Sequence, residues 1–165
     1  MRRYESGQGD KMAAFVLPIA TRTYAEWVDP ASAELWARSE HGAGAWTARL
    51  DDATTHVLVC ERTDGSIAAC AFVRISGETA FFGGLDVQDV GCGLGSLLRD
   101  ERLRISSDAG ARTAVMLIRE TNAPARMLAQ KAGFEMDGED PCTRLSTVPR
   151  LVYRKPLDAP ALIPA

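Results

Sequence analysis

The segment Val87-Gln-Asp-Val-Gly-Cys-Gly-Leu-Gly-Ser-Leu-Leu98 sets Gly91, Gly93 and Gly95 between the end of a β-like run and the first turn of a helical one. Glycines at such a junction let the backbone turn its N–H groups inward with no side chain in the way. The helix start adds unpaired donors and the positive end of a dipole, worth about 0.3–1 kcal/mol toward an exposed anion. A phosphate or pyrophosphate suits this turn, and a tight turn with no ligand is the plain alternative. Two phosphate loops are excluded by spacing. A P-loop reads GxxxxGK[ST], and no lysine follows these glycines. A dinucleotide loop reads GxGxxG and opens a βαβ unit; here Ser96 stands at the third position and the loop follows antiparallel strands.

The flanking patterns place that loop in an α/β domain. Ala14–Ile19 is a short β-like run, and Tyr24–His41 reads as two short helices, the second begun at Pro30. Thr55–Arg62, Ser66–Ile75 and Glu78–Val87 are β-rich runs broken by Thr-Asp-Gly and Ser-Gly, which predicts an antiparallel meander. Leu94, Leu97, Leu98, Leu103 and Ile105 then recur at helical spacing up to Gly110. Thr113–Arg119 is almost continuously apolar, as a strand covered on both faces is. Asn122 and Pro124 open a helix that Gly133 closes, and Phe134–Met136 and Arg150–Lys155 end the domain as strands. The predicted order is β, α, α, β, β, β, α, β, α, β, β on a mixed sheet. Residues 12–156 form one domain in this reading, with residues 1–11 and 157–165 as flexible tails.

Composition narrows the function classes. The chain has 165 residues, 19 basic against 22 acidic, for a net charge of −3. No global attraction to nucleic acid or anionic lipid is expected. Cys60, Cys70, Cys92 and Cys142 stand far apart with no histidine at ligand spacing, which argues against a metal site and a disulfide framework and for reduced thiols in a cytoplasm. The N-terminal segment has no apolar core of signal-peptide length, and no apolar run approaches a membrane span.

A second segment, Glu120-Thr-Asn-Ala-Pro-Ala-Arg-Met-Leu-Ala-Gln-Lys-Ala-Gly-Phe134, follows one strand later. Together with the glycine loop it resembles the GNAT superfamily of acyl-CoA-dependent N-acyltransferases. The family pattern [QR]xxGxG[AG] falls on Val90-Gly-Cys-Gly-Leu-Gly95, and NxxAxxLYxxxGF falls on Asn122, Ala125, Leu128, Gly133 and Phe134. The likeness is close over residues 80–135 and architectural elsewhere. It implies a mixed, mostly antiparallel sheet of six to seven strands flanked by about four helices. It also implies that Val90, Gly91, Cys92, Gly93, Leu94, Gly95 and Ser96, with Asn122, surround the CoA pyrophosphate. Pantetheine would lie between splayed strands, Glu78–Val87 and Thr113–Arg119, with its amides near Leu85 and Val87. Independently, Gly83-Gly84 inside a strand predicts a bulge or a close backbone approach at the same place, and a strand amide there suits an oxyanion.

Transfer to an amine requires the neutral form, which for a lysine-like acceptor is about one molecule in 2,500 at pH 7, so a base is useful. The candidate catalytic carboxylates are Glu120, at the end of the splayed strand, and Asp86, beside the expected bulge; Glu78 shares the alternation face of Asp86 but lies further down. A solvated or salt-bridged role is the plain alternative for each. His56 reads as a packed or edge residue, and His41 as a solvated one near a helix end. Two positions depart from the family. Val90 replaces its usual basic or Gln residue, and its sulfur-protonating Tyr falls at Ala129. Cys142, Ser146 and Tyr153 are conceivable substitute donors, and Cys92 is too near the phosphates to carry an acyl group.

The reading is an N-acetyltransferase using acetyl-CoA, or another acyl-CoA, to acylate a primary amine of a small molecule, without metal. Acceptor contacts are expected from Tyr24–His41 and the Cys142–Pro149 loop. Alternatives are a protein N-terminal or lysine acetyltransferase, a non-catalytic acyl-CoA-binding domain, and transfer from another activated acyl donor in a biosynthetic pathway. The sequence does not set the oligomeric state, and a homodimer stays open.

Overall fold

The computed structural model describes residues 1–5, 7–140 and 149–157. Its elements are β1 (Arg2–Arg3), α1 (Gly9–Tyr24), α2 (Pro30–His41), α3 (Ala43–Asp51), β2 (Thr55–Glu61), β3 (Ile67–Ser76), β4 (Thr79–Val87), α4 (Leu94–Asp108), β5 (Thr113–Arg119), α5 (Ala123–Lys131), β6 (Glu135–Asp140) and β7 (Arg150–Pro156). The seven strands form one sheet in the order β1-β2-β3-β4-β5-β7-β6. Among the described residues only β4 and β5 pair in parallel.

Each face of the sheet carries its own apolar cluster. On one face α4 and α5 bring Leu98, Ile105 and Ala129 onto Leu58, Ala71, Phe82, Met116 and Tyr153. On the other, α1 to α3 bring Met12, Val16, Ala37 and Trp46 onto Val57, Val59 and Cys70. Burial on both faces explains the unbroken apolar runs of the central strands.

The meander, α4, β5 and α5 stand close to where the sequence puts them, and local chemistry explains why. Gly65 and Gly77 take positive φ at the hairpin turns, and Gly110 does so just past α4. The Asn122 side chain caps α5 by accepting from the Ala125 N–H at 3.1 Å, with Pro124 in the first turn.

Three expectations are corrected. Ala14–Ile19 is not a strand but the middle of α1. Its buried residues, Met12, Ala13, Val16 and Ala20, follow a helical stripe, yet a six-residue apolar run containing Pro18 does not show its period in isolation. A third helix, α3, was not expected; Ala- and Gly-rich, it is anchored by the fully buried Trp46. Residues placed in an N-terminal tail belong to the sheet and core: Arg2 and Arg3 pair with Val59 and Leu58, and Tyr4 is buried. Of the expected C-terminal tail only Leu157 is described, its N–H bonded to the Arg112 carbonyl. No helix among the described residues is long and apolar enough to cross a membrane.

Candidate active site

β4 and β5 pair only from Thr79 with Thr113 to Phe82 with Met116. Beyond that point β4 stays with β3, through Asp86 with Cys70 and Val87 with Ala69, while β5 stays with β7 as far as Arg119 with Arg150. The two strands therefore part, and their facing backbone edges are available to a ligand that offers amides. The parting begins at Gly83-Gly84. The β3–β4 register shifts there, Gly84 sits at φ +47°, and a Cβ on Gly83 would lie 2.3 Å from the Phe72 ring. Only glycine admits that approach.

The bulge also re-aims the strand. Ala80 and Phe82 face α4, and strict alternation would send Asp86 the same way; instead Leu85 and Val87 pack on the α4 side. Asp86 feels the charge of Arg49, from α3 on the opposite face. The expected shared face of Glu78 and Asp86 is thus broken by one extra residue. Glu78 is instead ion-paired to Arg112 at 2.9 Å, exposed at the strand's start.

A cleft of about 700 Å³ opens along the parting. Its floor is β4 and β5, one wall comes from α4 and α5 through Arg102, Asn122, Ala125 and Leu128, and the other from α1 to α3 through Tyr24, Trp27, Trp36, Glu40, His41 and Arg49. The expectation that Tyr24–His41 reaches the site is met in position, by side chains that carry no motif. His41, expected to be solvated, is instead a wall residue. The Tyr24 hydroxyl lies 3.2 Å from Glu40 Oε2 and 3.1 Å from His41 Nε2. The charged Glu40 is the stronger acceptor for the one hydroxyl proton, which assigns the N–H to His41 Nε2 and leaves Nδ1 with a lone pair.

Two buried acceptor atoms in the cleft have no hydrogen-bond partner among the described residues: Asp86 Oδ2 and His41 Nδ1. Burial pushes the Asp86 carboxyl up to about 6, against the opposing pull of the Arg49 cation. Burial, helped by the Arg49 charge, pushes His41 down to about 4, so its ring is neutral at pH 7. Burial and the Glu40 charge push the Tyr24 hydroxyl above its ordinary value and keep it protonated. Arg49 is itself held by the Glu40 carbonyl at 2.7 Å and by the faces of Trp46 and Phe72, 5.0 and 5.2 Å from its guanidinium carbon.

Just past the C-terminal end of β4, Gly91 and Gly93 take φ +92° and +82°. Gly93 is the N-cap of α4, and no side chain caps that helix start. A Cβ at either glycine would meet nothing within 4 Å, so the space in front of the turn is open. Gly95 faces inward, toward Leu128, Leu85 and Val87, while Leu94 packs on the core and Val90 is exposed. The Cys92 thiol donates to the Asp89 carbonyl at 2.7 Å, beside the Asp89–Arg62 ion pair.

Other expected residues lie apart from the cleft. Glu120 is exposed and does not line it; its backbone bonds to Pro149 and Arg126. His56 is a partly buried strand residue opposite Val73. Ala129 is fully buried in the α4-side core, where a tyrosine would overpack, and Tyr153 is locked in the same core. Cys142 and Ser146 fall outside the described residues. Tyr24 is a cleft hydroxyl that the sequence does not single out; its only signal is membership in the stretch expected to face the acceptor.

By sequence, no protein family and no curated protein matches the chain. By structure, the fold is that of the GNAT acetyltransferases. The PaiA N-acetyltransferase of Thermoplasma acidophilum, solved in complex with coenzyme A, superposes with a TM-score of 0.80 at 14% identity, over 94% of this chain and 96% of that one. An acetyltransferase of the GNAT family from Streptococcus pneumoniae gives 0.72 at 18% identity, over 95% and 98%. Nourseothricin acetyltransferase gives 0.60 at 23% identity, over 66% and 68%.

Proposed function

We propose that the chain is an acyl-CoA-dependent N-acyltransferase that modifies a primary amine of a small molecule. The observation that carries this is Asp86 Oδ2, a buried acceptor without a partner, standing where β4 leaves β5. An ammonium needs such an acceptor before it can lose its proton, and a carboxyl raised to about 6 is ionised at pH 7 yet basic enough to take one.

The residues fit a CoA thioester along the cleft. The open, uncapped glycine turn suits a pyrophosphate. The unpaired edges at Leu85 and Val87 suit pantetheine amides, and the bulge at Gly83-Gly84 sets backbone donors near a thioester carbonyl. Acyl-CoA supplies an electrophilic carbonyl with a thiol leaving group whose ordinary pKa is about 8.5. Asp86 accepts the proton as the amine nitrogen bonds to that carbonyl carbon and the C–S bond breaks. The sulfur can leave as the thiolate, while Tyr24, kept protonated and bonded to Glu40, shapes the acceptor wall. His41 Nδ1 offers the ammonium a second acceptor.

The small-molecule assignment draws support from the enclosure of the acceptor wall by Trp27, Trp36 and Tyr24. It also draws on the likeness to nourseothricin acetyltransferase. The test is thiol release from acetyl-CoA with polyamines, aminoglycosides and peptides as acceptors. Turnover with a small amine supports the reading. Turnover with peptides alone makes the chain a protein acyltransferase, and tight CoA binding with no turnover from acetyl-CoA or any other acyl-CoA makes it a binding domain.

A further inference from the structure

The apolar stripe of α4 that faces the sheet runs Leu98, Arg102, Ile105, and its middle member is an arginine only 2% exposed. Taking a guanidinium out of water without a counter-charge is costly. No carboxylate among the described residues pairs with it. Its Nε donates to the Leu98 carbonyl at 3.3 Å, and its Nη1 to the carbonyls of Phe72 at 3.5 Å and Gly83 at 3.3 Å. The Phe82 ring lies 4.7 Å below its central carbon. A guanidinium has five N–H donors, and the two on Nη2 bond to no described residue. Burial pulls the group down only to about 9, so it remains a cation at pH 7.

Arg102 is also a cleft residue, and Gly83, which it touches, is where β4 parts from β5. Backbone carbonyls answer for part of its hydrogen bonding and for none of its charge. We infer that Arg102 makes the donor subsite selective for acyl groups ending in a carboxylate, so that the preferred donors are mono-CoA thioesters of short dicarboxylic acids. This rests on the acyl-CoA reading. It replaces the acetyl group, which offers a cation nothing, by a chain whose far end supplies the missing counter-charge. The reacting bonds are unchanged: C–N forms, C–S breaks, and the remote carboxylate takes no part.

The test is calorimetric binding of succinyl-CoA and butyryl-CoA, which share chain length and differ in the terminal group, to the intact protein and to Arg102→Met. The wild type is expected to bind succinyl-CoA roughly 10-fold or more tightly than butyryl-CoA, and Arg102→Met to lose that preference while still binding butyryl-CoA. Equal binding of the two donors by the wild type overturns the inference and leaves the acyltransferase reading intact. A preference that survives in Arg102→Met also overturns it, as does an equal loss of both donors in a folded Arg102→Met, which marks the arginine as a support for the bulge alone. Should that variant not fold, the wild-type ratio still decides, with Arg102→Gln as the second variant. Failure of every CoA species, free CoA included, to bind defeats the underlying reading instead.

Discussion

The two walls of the cleft are made of different material. Toward the glycine turn the expected ligand is met mainly through backbone: positive-φ glycines, an uncapped helix start and the unpaired strand edges of the floor, with Arg102 the side-chain exception. The α1–α3 wall offers side chains instead, with Tyr24, Glu40, His41 and Arg49 brought from three helices into one cleft with the Asp86 carboxylate of β4, which feels the Arg49 charge. Backbone sites depend on glycine and proline placement, which leaves a signature along the chain. Side-chain sites depend on which helices cross, and residue types such as Tyr and Glu are too common to mark them. The backbone features are therefore legible along the chain, and the side-chain wall is not.

If the second wall does the chemistry, Asp86→Asn gives the largest effect. The rate of thiol release should fall on the order of 10²- to 10⁴-fold. The wild-type acid limb, expected near pH 6 as Asp86 protonates, should vanish from the residual activity. A variant with the wild-type profile would move the chemistry off this wall.

The same wall should show a stability signature in urea unfolding between pH 4 and 7. Asp86 binds its proton more tightly in the fold than at its ordinary value of 3.8, so its contribution is present at pH 4 and lost as pH rises through about 6. His41 is displaced the other way, from 6.5 to about 4, so its contribution is full above pH 6.5 and lost as pH falls. Each displacement corresponds to on the order of 3 kcal/mol, with opposite sign. Asp86→Asn should thus be more stable than wild type at pH 7 and level with it at pH 4. His41→Gln should gain relative to wild type only on acidification. Parallel pH curves for all three proteins would mean that neither group is held as described.

On the backbone wall, Gly93→Asp is expected to weaken CoA binding at least ~10-fold by calorimetry, with a small change in melting. Aspartate tolerates a left-handed φ better than most residues, and a Cβ there meets no protein atom. The loss must then come from charge and bulk placed where a phosphate belongs. Unchanged affinity would remove the turn from the binding site. The smallest effect belongs to Glu120→Gln. With Glu120 exposed and away from the cleft, activity should stay within about twofold of wild type at every pH; a rate loss confined to neutral pH would restore it as a base.

Asp86 shows how far the sequence reading reached. Its candidacy came from its place beside two glycines, and the structure agrees on the place. That it faces α1–α3, and not the side that alternation assigns, follows from the extra residue at the bulge. Tyr24 and His41 were legible only as members of a stretch. Ala14–Ile19 reads as a strand in isolation because six apolar residues fit a strand and a helix equally until α2 and α3 pack around them.

What the chain determined by itself was every feature fixed by local backbone chemistry: the hairpins, the glycine turn before α4, the Asn122 cap and the weak point at Gly83-Gly84. Burial and long-range contact were decided only in three dimensions, because they belong to no single segment. They left Asp86 Oδ2 buried without a partner among the described residues, kept His41 neutral in the same cleft, and left Arg102 charged where no described carboxylate pairs with it.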